Sequence, residues 1–241
     1  AVVFAVPEGG REGAKLPAAA AKFDKHLRGR LTQAMKAAEF TGKRIPPVPA
    51  TPDLKKVKFG EPVQIFNGKD LTNFKAEGSS EFWHAVDGVL VGENNAAKKG
   101  NYLWTEKEYK DFVLEFDVKF KGVPPRGADT GVEMRKPNIQ LQLGVSGSLR
   151  VDMTGSFYTG GKPAYPEAGQ AKDAKKLLKP EGEWNTFRIQ AKGDTFTCWI
   201  NGQKASEYTD AKFAGAAPLG IQIHPGVVMK CEYRNVRIAE L

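Results

Sequence analysis

The chain has 241 residues, 41% hydrophobic and 27% charged, which is enough to bury a full core and excludes a small disulfide-stapled fold. No run approaches the ~18 apolar residues of a bilayer-spanning helix, so a transmembrane segment of that kind is excluded. The formal charge of +8 is uneven: residues 1–58 hold 12 Lys/Arg against 5 Asp/Glu, whereas residues 59–241 hold 24 against 23, too balanced for a phosphate-tracking groove across the body.

In chain order, the first residues start at Ala1 and lack the basic, apolar, small-residue pattern of a signal peptide. A processed or trimmed form is expected, and export is permitted. Pro17 suits a first helical turn, and Phe23, Leu27 and Leu31 follow at i, i+4 and i+8, so residues 17–40 are predicted as an amphipathic helix. Lys22, Lys25, Arg28, Arg30 and Lys36 occupy much of its remaining surface. Gly42 ends it, and Ile45-Pro-Pro-Val-Pro-Ala-Thr-Pro52 reads as an extended linker because each proline fixes its own φ and restrains its predecessor. The expected organisation is a basic arm over 1–58 and a body over 59–241. The arm either clasps its own body, binds an acidic protein partner, or mediates homo-oligomer formation.

From Val63 onward the period becomes two. In Phe112-Val-Leu-Glu-Phe-Asp-Val-Lys-Phe120, the residues Phe112, Leu114, Phe116, Val118 and Phe120 share one face while Glu115, Asp117 and Lys119 share the other. Similar runs recur at 82–91, 138–143, 184–192, 194–200, 219–223 and 228–238, punctuated by Asp87-Gly88, Gly193-Asp194 and Asn201-Gly202. Residues 160–180 read as a long loop with one short helix near 173–178. Many short strands with few helical windows predict an all-β sandwich or jelly roll behind an α-helical arm.

Several ordered motifs carry a resemblance: Ile65-Phe-Asn-Gly-Lys-Asp-Leu71, Trp83 with Val86-Asp-Gly-Val-Leu90, Tyr109-Lys-Asp-Phe-Val-Leu-Glu-Phe116, Asp129-Thr-Gly-Val-Glu-Met-Arg135, Gly182-Glu-Trp-Asn185, Asn201-Gly202, Gly220-Ile-Gln-Ile-His224 and Arg234-Asn-Val-Arg-Ile238. Over about residues 62–241 the chain resembles the 3-keto-disaccharide hydrolase family. The resemblance implies a concanavalin A-like jelly-roll β-sandwich, a carbohydrate ligand on its concave face, and often an exported bacterial protein, periplasmic or extracellular. The implied chemistry is cleavage of 3-keto-glycosides. A C3 ketone acidifies the C2 hydrogen, a base removes it, the C1 aglycone leaves, and water adds to the double bond. Such a site needs a base, a proton donor for the leaving oxygen and a group facing the enolate oxygen.

Where the family usually has Tyr-Glu-hydrophobic-Gln, this chain reads Ile139-Gln140-Leu141-Gln142, so an amide stands where a carboxylate is common. Gln140 and Gln142 share a face and can bind hydroxyls, but an amide cannot exchange a proton at neutral pH. Glu133 is a candidate displaced carboxylate on the preceding strand, unless it only pairs with Arg135. Arg135 is a candidate enolate-binding cation and His224, in Gln-x-His, a candidate acid or base, with Gln222 on the same face. Asp129, where the family has Asn, and Tyr158 complete the substrate-binding set.

Three readings therefore stand side by side: an active lyase or hydrolase of 3-keto-glycosides, a non-catalytic sugar-binding or structural subunit that lost its carboxylate and associates through its basic arm, and a protein that binds nucleic acid or another acidic polymer through the arm alone. Nucleic acid is disfavoured as a partner of the body. No cofactor or metal is expected, since His26, His84 and His224 show no paired spacing. Of the four tryptophans, most are expected in packing roles. Cys198 and Cys231 are expected as buried free thiols, a disulfide being the alternative.

Overall fold

The computed structural model describes residues 62–75, 77–136 and 138–241. The predicted helix, the proline-rich linker and the boundary near residue 58 lie outside the described residues. Thirteen strands follow in order: β1 (Val63–Gln64), β2 (Trp83–Val86), β3 (Val89–Glu93), β4 (Tyr102–Tyr109), β5 (Phe112–Gly122), β6 (Asp129–Arg135), β7 (Ile139–Gly144), β8 (Phe157–Tyr158), β9 (Asn185–Lys192), β10 (Thr195–Ile200), β11 (Gln203–Thr209), β12 (Ala217–Gln222) and β13 (Met229–Glu240). The short helix α1 spans Ala174–Leu177, within the loop where the sequence places one.

Two antiparallel sheets pack face to face. The larger runs β11-β10-β9-β5-β13-β3-β2, with β1 also paired to β13, and the smaller runs β4-β12-β6-β7-β8. This is the jelly-roll sandwich that the alternation predicts. The apolar positions of β5 and β9 face inward, where Phe116 and Phe187 stack with ring centroids 5.7 Å apart, and burial of each such ring contributes about 1.5–3 kcal/mol. The hairpin turns fall where the sequence marks them. Asp87-Gly88 and Asn201-Gly202 each place both central residues at positive φ, the twist that matches two antiparallel strands. The expected run 82–91 is accordingly two strands, β2 and β3, folded about the first of these turns. Cys198 and Cys231 are both buried and free. No helix among the described residues is long and apolar enough to cross a membrane.

The small sheet differs from the large one in a way that positions the site. Its central strands β6 and β7 are buried on both faces. Val132, Ile139, Leu141 and Leu143 fill the core side, while Asp129, Glu133, Gln140 and Gln142 are equally buried on the other. A row of buried polar side chains on a sheet's outer face means that other polar groups cover it.

Candidate active site

Strand alternation sets the floor of the site. Because Ile139, Leu141 and Leu143 of β7 enter the core, Gln140 and Gln142 must rise on the opposite face. Their register partners on β6 are Glu133 and Gly131. A Cβ at Gly131 would lie 2.4 Å from Gln140 Nε2 and 2.5 Å from the Leu141 carbonyl oxygen, so the bare backbone there leaves room for the amide. On the other side of β6, Gln222 of β12 pairs with Tyr102 of β4.

These side chains form one hydrogen-bonded array. Gln222 Nε2 donates to Tyr102 Oη at 2.8 Å, and Tyr102 Oη donates to Gln140 Oε1 at 3.0 Å. Gln140 Nε2 donates to Gln222 Oε1 at 3.2 Å, and Tyr165 Oη donates to Gln142 Oε1 at 3.1 Å. Gln142 Nε2 in turn donates to Asp129 Oδ1 at 2.9 Å. The amides are thus held in fixed orientations, which lowers the entropic cost of binding a polyhydroxylated ligand. Asp129 Oδ2 is buried and has no hydrogen-bond partner. An orphaned carboxylate oxygen of this kind needs a donor from elsewhere.

His224 closes that end of the site. Its backbone N–H donates to the Asp129 carbonyl at 3.4 Å, and its Nδ1 lies 3.9 Å from Asp129 Oδ2, beyond hydrogen-bond reach. Nδ1 is instead 2.6 Å from the Pro225 carbonyl oxygen. A carbonyl only accepts, so Nδ1 carries the proton, and the neutral ring keeps its lone pair on Nε2.

Tyr102, Arg126, Asp129, Asn138, Gln140, Gln142, Ser146, Tyr158, Tyr165, Gln222 and His224 line a cleft of about 350 Å³, within the range of small-molecule sites. Tyr158 and Tyr165 meet edge to face at 5.3 Å and form one wall. Burial raises the Tyr165 hydroxyl to about 12 and pushes Tyr102 higher still, so both remain hydroxyl donors at neutral pH. Glu133 is on the same face, buried behind Tyr102. Burial raises its carboxyl above the ordinary carboxylate range, opposed in part by the Tyr102 hydroxyl and then by Lys136.

The structure thus brings together Asp129, Gln140, Gln142, Tyr158, Gln222 and His224 around one cleft, with Glu133 beside it. Arg135 departs from the sequence expectation. A register shift between Glu133 and Arg135 pairs Arg135 with Ile139, whose side chain is in the core, and so turns Arg135 to the inner face. There its Nη1 donates to the Tyr109 carbonyl at 2.9 Å and its Nε to that of Phe213 at 3.2 Å, with the guanidinium 5.4 Å from the Phe112 ring centre. It neither pairs with Glu133 nor reaches the cleft.

Sequence reasoning missed Tyr102, Arg126, Asn138, Ser146 and Tyr165. The alternation of Tyr102-Leu103-Trp104-Thr105, with Leu103 and Thr105 buried, marks β4 and could have found the first. Arg126 stands in Pro124-Pro125-Arg126-Gly127, between β5 and β6, and is the one cation lining the cleft among the described residues. No local pattern announces that role. Of the tryptophans, Trp83 and Trp199 are buried, Trp184 packs under Arg234 at 4.2 Å, and Trp104 stacks on Tyr102 at 4.9 Å.

Two antiparallel sheets packed face to face, with a polar cleft on the smaller one, make a jelly-roll sandwich. Residues 61–239 match the 3-keto-alpha-glucoside-1,2-lyase-like domain, and the chain belongs to that family. Among solved structures it is similar to a candidate glycosyl hydrolase from Parabacteroides distasonis ATCC 8503, with 22% identity, a TM-score of 0.55, and coverage of 76% of this chain and 100% of the other. A second candidate glycosyl hydrolase from that organism shows 20% identity and a TM-score of 0.52 over 86% of this chain and 96% of its own. The κ-carrageenase of Pseudoalteromonas carrageenovora, in complex with a carrageenan oligosaccharide, shows 13% identity and a TM-score of 0.53 over 82% and 99%. At these identities the likeness is one of fold. No curated protein matches the chain.

Proposed function

We propose that the protein cleaves 3-keto-glycosides by removing the C2 proton and expelling the C1 aglycone, after which water adds across the C1–C2 double bond. The observation that carries this reading is His224, whose Nδ1 is tied to the Pro225 carbonyl while Nε2 keeps its lone pair at the edge of the cleft. A base held in one tautomer suits abstraction of a proton acidified by the adjacent ketone. Arg126 lines the cleft whereas Arg135 does not, and in this reading it is Arg126 that faces the developing enolate oxygen. Gln140, Gln142, Gln222 and Tyr158 bind sugar hydroxyls, and the free Asp129 Oδ2 accepts one more.

The test is aglycone release from a chromogenic 3-keto-glucoside, together with hydrogen exchange at C2 in deuterated water. Both activities are expected in the intact protein and lost in His224→Ala. Sugar binding without exchange or release would support the second reading, a non-catalytic module. That reading draws on the amides, which bind hydroxyls without exchanging protons. Export to the periplasm or the exterior, and self-association or an acidic partner at residues 17–40, belong to the same proposal. Truncation of residues 1–58 is expected to abolish any salt-sensitive association while leaving turnover intact.

A further inference from the structure

Glu133 is a buried carboxyl that the array of amides does not use. It is 8% exposed, and the single cation acting on it is Lys136, the weakest of the influences on its ionisation. The elements around it offer few other charges. β7 presents Gln140 and Gln142, β12 presents Gly220 and Gln222, β8 presents Tyr158, and β4 presents Tyr102 and Trp104. Tyr102 is the titratable group in contact with it, while Asp129 and Tyr158 act on Tyr102 from farther away. Keeping an unpaired carboxyl there costs stability, and packing alone gives no reason for it.

We propose, resting on the reaction above, that Glu133 and Tyr102 form a proton relay for the leaving oxygen: Tyr102 touches the substrate, and Glu133 is the positioning residue that recharges it. The Tyr102 hydroxyl accepts from Gln222 Nε2 and has a second lone pair for a protonated Glu133, which leaves its own proton to turn from Gln140 Oε1 toward the cleft. The placement also suits a division of labour with His224. His224 and Tyr102 line the same cleft, and His224 follows two residues after Gln222, the cross-strand partner of Tyr102.

The protons balance over one cycle. His224 Nε2 takes the C2 proton, and the electron pair left on C2 is held as the enolate. As the C3 ketone re-forms, C1=C2 forms and the C1–O bond breaks with its pair on the aglycone oxygen. That oxygen takes the Tyr102 proton, and Tyr102 takes one from Glu133. On hydration, water attacks C1 and gives a proton through Tyr102 to the Glu133 carboxylate, while protonated His224 returns a proton to C2.

The relay is tested with two aglycones. An alkyl aglycone leaves as a strong base and needs the proton, whereas a para-nitrophenyl aglycone does not. In Glu133→Gln, alkyl release is expected to fall by about 10²-fold, with para-nitrophenyl release within about threefold of the wild type. C2 exchange in that variant should persist, which also shows that fold and base are intact. Tyr102→Phe should reproduce the pattern, and Glu133→Gln with Gln140→Glu should recover alkyl release, since position 140 is directly cross-strand from 133. Equal losses with both aglycones, or no loss with either, would overturn the relay. Carboxyl-carbon NMR titration of Glu133 tests it without turnover: a midpoint above the ordinary carboxylate range that moves further up in Tyr102→Phe is expected. An ordinary midpoint indifferent to Tyr102 overturns the relay even if the protein is active. A wild type inert on both glycosides removes the reaction, and with it the relay's role.

Discussion

The outer faces of the two sheets treat charge in opposite ways. On the large sheet, Glu115 accepts from Arg188 Nε and Arg237 Nε at 2.9 Å each, Asp117 accepts from Thr186 Oγ1 at 2.7 Å and Arg234 Nε at 3.3 Å, and Lys119 pairs with Glu232 at 3.2 Å. On the small sheet, Glu133 has no such fork, Asp129 keeps one bare oxygen, and the cations have withdrawn to Arg126 at the rim and Arg135 beneath. Burial pushes both Glu115 and Asp117 up, but the hydrogen bonds from their partners more than offset it and hold them below the usual range. At Glu133 burial wins. Neutralised charges brace a sheet, whereas unneutralised ones keep bonding capacity for a ligand.

This comparison is broken or sharpened by substitution. The largest effect expected is in His224→Ala, where aglycone release falls by about 10²–10⁴-fold with an unchanged melting temperature, measured by chromogenic assay and calorimetry. Next, Arg135→Ala should cost about 3 kcal/mol in urea denaturation, because a packed side chain is lost and the Tyr109 and Phe213 carbonyls lose their donor. Its C2 exchange rate should stay close to wild type. A selective loss of exchange in a folded protein would return Arg135 to the site. Glu115→Gln should cost about 1–2 kcal/mol by the same measurement and leave turnover untouched, since two arginines lose a charged acceptor.

The smallest effect is the sign of the pH dependence. Glu115, lowered in the folded state, contributes stability above its ordinary pKa and loses it as pH falls through the folded value. Glu133, raised in the folded state, contributes while protonated and loses that contribution as pH rises through its folded value. Denaturation at a series of pH values should therefore show Glu115→Gln flattening the acid side of the stability curve, where stability falls with falling pH, and Glu133→Gln removing a loss of stability that sets in as pH rises toward neutrality. Changes of the same sign in both variants would dissolve the contrast between the sheets.

Much of this molecule is legible in its sequence because strand alternation is a local property. The run Phe112–Phe120 declares one apolar and one charged face, and the structure buries the first and pairs the second. The turns at Asp87-Gly88 and Asn201-Gly202 follow from backbone sterics at two adjacent residues. The same parity places Gln140, Gln142 and Gln222 on one face, and the motifs around them point to the family. Parity fails at Arg135, where an irregularity between Glu133 and Arg135 turns the last residue of the strand to the other face, and nothing within β6 marks that position.

What the tertiary structure alone decided is which charges find partners. Glu115 and Glu133 look alike in an alternating strand, but β9 and β13 bring arginines to the first, while β4 and β7 bring a tyrosine hydroxyl and an amide to the second. Arg126 reaches the cleft from a loop between strands of different sheets, and the orphaned oxygen of Asp129 depends on how far His224 stops short of it. Such encounters depend on contacts far apart in the chain, whereas alternation depends on neighbours, and that is why the fold and half the cleft are written in the sequence and the chemistry of the cleft is not.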